Sequence, residues 1–199
     1  MVEDAWIAAI AAVAGYLAGS ISPSYILTRA LKGDDIRKVG TLNAGTLNAF
    51  NSLGKKGGTF VFLFDFGKGL FAALVPGWLG LPEAATYAAA VAVVAGHNWP
   101  VWLKFVGGKG VATSAGVALG LIPLLAAAAL APAVILLVTL KKFAIVAMGT
   151  GFVLLVALTY ITGQPLGVFI VIFGVSAMVA IAQFTRPTWV RPEDAPPGQ

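Results

Sequence analysis

The chain contains no cysteine and a single histidine. Disulfides, thiol nucleophiles and cysteine metal sites are excluded, and one imidazole without cysteine cannot make a zinc site. Charge is also scarce: Asp, Glu, Lys and Arg make up 11% of the 199 residues, against 59% hydrophobic residues. A soluble domain of this length needs far more charge to cover its surface. The opening Met1-Val-Glu-Asp4 has acid but no Lys or Arg, so it lacks the basic region of a signal peptide. The first apolar stretch is therefore expected to be retained.

What the chain has in abundance is apolar length. Mean hydropathy is +0.91, and the apolar runs, at ~20 residues each, can cross a hydrocarbon core about 30 Å thick. With Gly, Pro and charge read as breaks, the pattern predicts an all-α polytopic membrane protein of seven transmembrane helices, at roughly 4–30, 57–79, 84–104, 110–122, 124–140, 143–161 and 165–184. The breaks are Gly80-Leu-Pro82-Glu83, Pro123, Lys141-Lys142 and Thr162-Gly-Gln-Pro165. Pro123 could instead kink one long helix, but charge argues against that. With seven crossings and the N-terminus outside, Arg29, Lys32, Arg37, Lys38, Lys55, Lys56, Lys104, Lys109, Lys141, Lys142, Arg186 and Arg191 all fall on or beside the inner face. The outer loops hold only Glu3, Asp4 and Glu83, so the positive-inside rule is obeyed throughout. Residues 1–185 read as a single membrane domain, and the proline-rich 186–199 as a cytoplasmic tail expected to be disordered.

This topology gathers the polar chemistry on one face, in three stretches: Gly19–Ser24, Asp34–Lys56 and Gly96–Thr113. The second combines Asp35, Arg37, Gly40, Asn43, Gly45 and Asn48. Successive amides in such a loop can form an anion nest, and Arg37 adds a planar fork of donors. A solvated basic loop serving topology alone is the plainer alternative. In the third stretch, Gly107-Gly-Lys-Gly110 precedes an apolar helix, so its amides would face whatever lies at that helix's positive end. It is not a Walker A loop, because Lys109 is followed by Gly110. His97 either fixes the Asn98-Trp-Pro turn or acts as a base, and the residues alone leave both open. No acid follows within the next ten residues, so the histidine–aspartate pair of many soluble acyltransferases is expected to be missing. Asp65 and Lys68 lie at i and i+3 in the second helix, either neutralising each other or serving a function.

In these stretches the chain resembles the bacterial acyl-phosphate:glycerol-3-phosphate acyltransferases, the PlsY family. The similarity is carried by Gly19-Ser20-Ile21 with Pro23, by Asp35-Ile-Arg37-Lys-Val-Gly40, by Gly54-Lys-Lys56 and Asp65-x-x-Lys68-Gly69, and by Gly96-His97…Pro100…Phe105-x-Gly107-Gly-Lys-Gly-Val-Ala-Thr113. It departs at Leu42 and Leu47, where that family usually has glycine and threonine.

The resemblance implies acyl transfer from acyl phosphate to glycerol 3-phosphate in the bacterial inner membrane, without cofactor or metal. It implies catalytic roles for His97, Lys109, Ser20 and Asn43. Substrate binding would fall to Arg37, Thr41, Gly45, Asn48, Lys68, Gly107, Gly108, Gly110 and Thr113. Lys109 and the glycine amides suit the acyl phosphate; Arg37, Thr41 and Asn43 suit glycerol 3-phosphate. The acyl chain would lie between helices, open to the bilayer. Expected partners are these two substrates and membrane lipids, not nucleic acid, with the chain acting as a monomer. A small anion transporter and a catalytically silent lipid-binding paralogue are the competing readings. The first would need inverted repeats that are not evident; the second is motivated by Leu42 and Leu47.

Overall fold

A computed structural model describes residues 2–139 and 144–185. The described residues are helical, without strands: α1 (Val2–Ser20), α2 (Pro23–Lys32), α3 (Thr46–Trp78), α4 (Glu83–Asn98), α5 (Val111–Leu121), α6 (Pro123–Thr139), α7 (Ala144–Ile161) and α8 (Leu166–Thr185). Two single 3-10 turns, Ile36–Lys38 and Val101–Leu103, sit in the long connections. Lys141, Lys142, Arg186, Arg191 and the tail 186–199, all used in the charge reading, lie outside the described residues.

Three predicted boundaries are corrected. The first helix is not continuous over 4–30: α1 ends at Ser20 and α2 starts afresh at Pro23. Proline at a first helical position brings no N–H to bond backwards, and Ser22 caps the new helix by accepting from Tyr25 N at 3.4 Å. The second helix begins at Thr46 rather than near 57, with a kink at Gly54, whose φ of 71° only glycine adopts freely. The third stops at Asn98 instead of 104, because Pro100 cannot continue the hydrogen-bond ladder. Pro123 does separate two helices, as expected.

Polarity is arranged inside out. Ser24, Asn48, Asp65, Asn98, Thr113 and Ser114 are buried, while Trp6, Ile10, Leu63, Phe71, Val153, Phe173 and Ile181 face outward. Such a surface suits hydrocarbon, where backbone groups must be satisfied within each helix. α1 with α2, α3, and α8 contain stretches long and apolar enough to cross a membrane. Without water to drive helices together, close backbone approach must hold them. Gly15 and Gly19 of α1 abut the backbone of Ala89 and Val93 on α4, and Gly96 of α4 abuts Tyr16. Gly69 of α3 meets Thr113 of α5, and Gly116 of α5 meets Phe66. α4 touches α1, α3, α5 and α8. The ends of α1, α4 and α5 that carry the polar stretches are thus brought together around α3.

Candidate active site

The connection between α2 and α3 is held by side chains. Asp35 caps the first 3-10 turn, accepting from Arg37 N at 3.0 Å. Its carboxylate also takes a two-point contact from the Arg37 guanidinium, Nε–Oδ1 2.9 Å and Nη2–Oδ2 2.6 Å. That bond holds the Asp35 carboxyl below its ordinary range. Arg37 then reaches across to the next connection, donating from Nη1 to Leu103 O at 2.7 Å, with Tyr25's ring centroid 5.4 Å from its Cζ. Asn48, fully buried, is the second fastener. Its Nδ2 lies within bonding distance of Ile36 O, Val39 O and Asn43 O at 2.8, 2.9 and 3.0 Å, and its Oδ1 accepts from Thr41 N at 3.0 Å. The loop places Leu42 at φ 55°, a left-handed conformation costly for a side chain with a Cβ.

The connection between α4 and α5 is held mainly by backbone. Gly107 N donates to Asn98 O at 3.1 Å, Gly108 N to His97 O at 3.0 Å, and Phe105 N to Pro100 O at 3.0 Å. The chain thereby folds back over the end of α4. A Cβ on Gly108 would lie 2.0 Å from His97 Nε2, and one on Gly107 would lie 2.3 Å from His97 O. No residue but glycine fits there without displacing the imidazole or the backbone at the end of α4. Gly110, at φ 80°, opens α5 without a side-chain cap, which leaves the amides of that first turn to any anion before them. Lys109 is half-buried beside them.

Beneath this loop lies an ionic cluster. Asp65 Oδ1 of α3 is 2.8 Å from Lys68 Nζ and 3.3 Å from His97 Nδ1, all three side chains being buried. The expected absence of a histidine–aspartate pair is thus corrected: its acid comes from another helix, 32 positions before the imidazole. Lys68 Nζ also donates to Gly19 O and Ile21 O, both at 3.0 Å, so it closes the end of α1. Ser20 sits in this break, its hydroxyl donating to Tyr16 O at 2.9 Å, and Ser20 N lies close to Gly96.

Apart from Thr41 and Asn43, which lie in the loop before α3, the predicted residues fall into two groups. Ser20, His97, Lys109, Gly107, Gly108, Gly110 and Thr113 belong to segments gathered at the ends of α1, α4 and α5. Asn48, Gly45, Lys68 and Arg37 are engaged with the protein itself: Asn48 in tying its loop, Gly45 in starting α3 against Asn43, Lys68 with three acceptors, and Arg37 with Asp35 and Leu103 O. Several buried polar atoms have no partner among the described residues. Thr41 Oγ1, Asn43 Oδ1 and Thr46 Oγ1 belong to the first loop and its helix start; Thr113 Oγ1 and Ser114 Oγ belong to the first turn of α5. Unsatisfied groups of this kind invite a polar ligand. Asp65 and Asn98 were absent from the predicted site set. Asn98, fully buried, donates to Met178 O of α8 at 3.3 Å, a tertiary bond that no local spacing announces.

Residues 9–187 match the family model described as Glycerol-3-phosphate acyltransferase. The protein of that name from Thermoanaerobacter pseudethanolicus is 42% identical over 163 residues, covering 82% of this chain and 81% of the relative. Glycerol-3-phosphate acyltransferase 4 of Dehalococcoides mccartyi is 48% identical over 120 residues, but the match spans only 52% of that relative's length. The crystal structure of PlsY, an integral membrane glycerol 3-phosphate acyltransferase, in its glycerol 3-phosphate form superposes with a TM-score of 0.79 at 28% identity, covering 94% of this chain and 97% of that one. Its lysophosphatidic acid form gives 0.77 at 25% identity.

Proposed function

The chain belongs to the glycerol-3-phosphate acyltransferase family, and on that premise we propose that it transfers an acyl group from acyl phosphate to the 1-hydroxyl of sn-glycerol 3-phosphate. The products are lysophosphatidic acid and inorganic phosphate. An acyl phosphate is a mixed anhydride, already activated, so no serine or cysteine nucleophile is needed. The glycerol oxygen attacks the carbonyl carbon, the bond from that carbon to the phosphate oxygen breaks, and phosphate leaves with the electron pair. His97 takes the hydroxyl proton. The protein's task is to hold two anions in register and to meet the developing charge with fixed donors.

One juxtaposition carries the reading: the bare Cα of Gly108 lies against the imidazole of His97, in the glycine loop that leads to Lys109 and the first turn of α5. A proton acceptor and an anion site are thereby adjacent. Lys109 and the amides of the first turn of α5 take the acyl phosphate with help from Ser20 and Thr113, while the Gly107 and Gly108 amides, bonded to Asn98 O and His97 O, hold the loop in place. Arg37, Thr41 and Asn43 take glycerol 3-phosphate. Asn48, Gly45 and Lys68 serve by holding those groups in place. An apolar groove of about 620 Å³ between α7 and α8, lined by Val111, Met148, Phe152, Val156, Phe173 and Phe184, takes the acyl chain. Val111 directly follows Gly110, which joins the groove to the anion loop.

We place the chain in the bacterial inner membrane with seven crossings, α1 and α3 to α8, the N-terminus outside and the catalytic loops in the cytoplasm. α2, with Arg29 and Lys32 in its last turn, lies along the inner interface. Residues 1–185 form the acyltransferase domain, working as a monomer among membrane lipids.

The direct test is acyl transfer by purified protein in a lipidic medium, with palmitoyl phosphate and glycerol 3-phosphate. Wild type is expected to form lysophosphatidic acid and phosphate, and Lys109→Ala to lose roughly 10²–10³-fold in rate. Folded wild type that forms no product would overturn the proposal. The groove has its own test, because a Cβ at Gly149, which lines it, meets nothing within 4 Å. Gly149→Phe is expected to shift preference toward shorter acyl chains without a loss of thermal stability.

A further inference from the structure

From the cluster beneath the glycine loop we infer that Asp65 is a positioning residue. By accepting from His97 Nδ1, it sets the imidazole in the form that carries its proton on Nδ1 and turns Nε2, as proton acceptor, toward the glycine loop. This rests on the acyltransferase reading above and adds to it which nitrogen works and what holds it.

Geometry supports each part. Asp65 is fully buried on α3, and its Oδ1 faces both His97 Nδ1 at 3.3 Å and Lys68 Nζ at 2.8 Å. The other ring nitrogen points the opposite way: Nε2 is the atom that a Cβ on Gly108 would strike first. A tautomer is selected by the hydrogen bond its other nitrogen makes, so a carboxylate at Nδ1 leaves the lone pair on Nε2. Lys68 matters for charge. A buried carboxylate facing histidine alone would favour imidazolium, which cannot accept a proton. With Lys68 already balancing Asp65, the cluster is neutral while the ring is neutral. Mutual neutralisation of Asp65 and Lys68 would require no third member, yet the histidine is brought to the same carboxylate oxygen. The remaining Lys68 contacts run to Gly19 O and Ile21 O, so one carboxylate ties the Ser20 segment to the glycine loop.

His97 is the chain's only histidine, so imidazole ¹⁵N labelling yields one pair of ring signals in the full-length protein in lipid. At a pH where titration shows the ring neutral, wild type is expected to show Nδ1 protonated and Nε2 bare. Asp65→Asn removes the fixed acceptor, and the spectrum is expected to shift toward the Nε2-protonated form. The rate is expected to fall at least a hundredfold with KM for glycerol 3-phosphate within about twofold, since a misplaced proton disables the base without touching the anion contacts. Asp65→Glu should restore part of that rate.

Asp65→Asn leaves Lys68 buried and unpaired, which can unfold the chain. The double variant Asp65→Asn/Lys68→Met removes both charges and keeps the comparison valid. It is expected to fold, to show the altered tautomer and to remain slow. A double variant that recovers the wild-type rate, or a wild-type spectrum with the proton on Nε2, overturns the inference. Neither spectrum needs turnover. Absence of product from wild type would therefore count against the acyltransferase reading alone, with the tautomer result standing apart.

Discussion

The two loops at this end of the bundle look alike in sequence, each with glycine, a cation and polar residues, yet they are held by different forces. The loop before α3 is fastened by side chains: Asn48 binds three carbonyls and an amide, and Asp35 grips Arg37. The loop before α5 is fastened by its own backbone, folded onto the carbonyls of His97, Asn98 and Pro100. Arg37 links the two through Leu103 O. A side-chain fastener concentrates the loop's order in one or two residues. A backbone fastener spreads it along the chain, and makes the space beside the imidazole the sensitive quantity. The first loop should therefore fail through a lost amide and the second through an added methyl.

That contrast can be broken most sharply at Gly108. Gly108→Ala sets a Cβ 2.0 Å from His97 Nε2, and a displacement of this size is expected to lower kcat by about a hundredfold or more. Steady-state kinetics beside circular dichroism would separate that from unfolding; unchanged kcat would mean the loop does not need its close approach. Asn48→Ala is the counterpart in the first loop. Stranding its partners should cost roughly 2–4 kcal/mol of stability and raise KM for glycerol 3-phosphate, as read by thermal unfolding and kinetics.

A gentler change runs the other way. Leu42 stands at φ 55°, so Leu42→Gly should relieve left-handed strain and stabilise the chain by up to about 1 kcal/mol, less the extra freedom of glycine when unfolded. A loss of stability would show that Leu42 packing outweighs its strain. The smallest effect concerns acid. Asp35 is held below the ordinary aspartate value of 3.8 chiefly by its bond to Arg37. Its contribution is therefore present above that value and is lost as pH falls through the lower folded one. Being partly exposed, the pair should supply less than about 1 kcal/mol. Asp35→Asn should lower stability by that amount at neutral pH and flatten the acid side of the curve, leaving the most acid region nearly unchanged.

Much of this was legible in the sequence. Five of the seven predicted helices recur with ends moved by a few residues or by a proline, the second starts well before 57 and the first divides in two, and the polar segments Gly19–Ser24, Asp34–Lys56 and Gly96–Thr113 do meet at one end. Leu42 was visible as a departure from glycine, but only the backbone angle explains why glycine suits that position. In the sequence Asn48 reads as a substrate ligand, because an exposed loop amide and a buried one are the same letter; its contacts depend on how Ile36 to Asn43 curl around it. In the sequence Asp65 stands out by its charge and pairs only with Lys68, because i and i+3 is a spacing that a sequence can display.

Membrane character and the order of helices and loops could be read from sequence alone, because insertion depends on the summed hydropathy of runs about 20 residues long, a local property. The histidine–aspartate pair, the broken first helix closed by Lys68, and the distinction between polar groups bonded within the protein and those left unpartnered among the described residues were decided only by the tertiary structure. Each depends on the register in which helices α1, α3, α4 and α5 pack, and glycine-to-backbone contacts far apart in the chain set that register together.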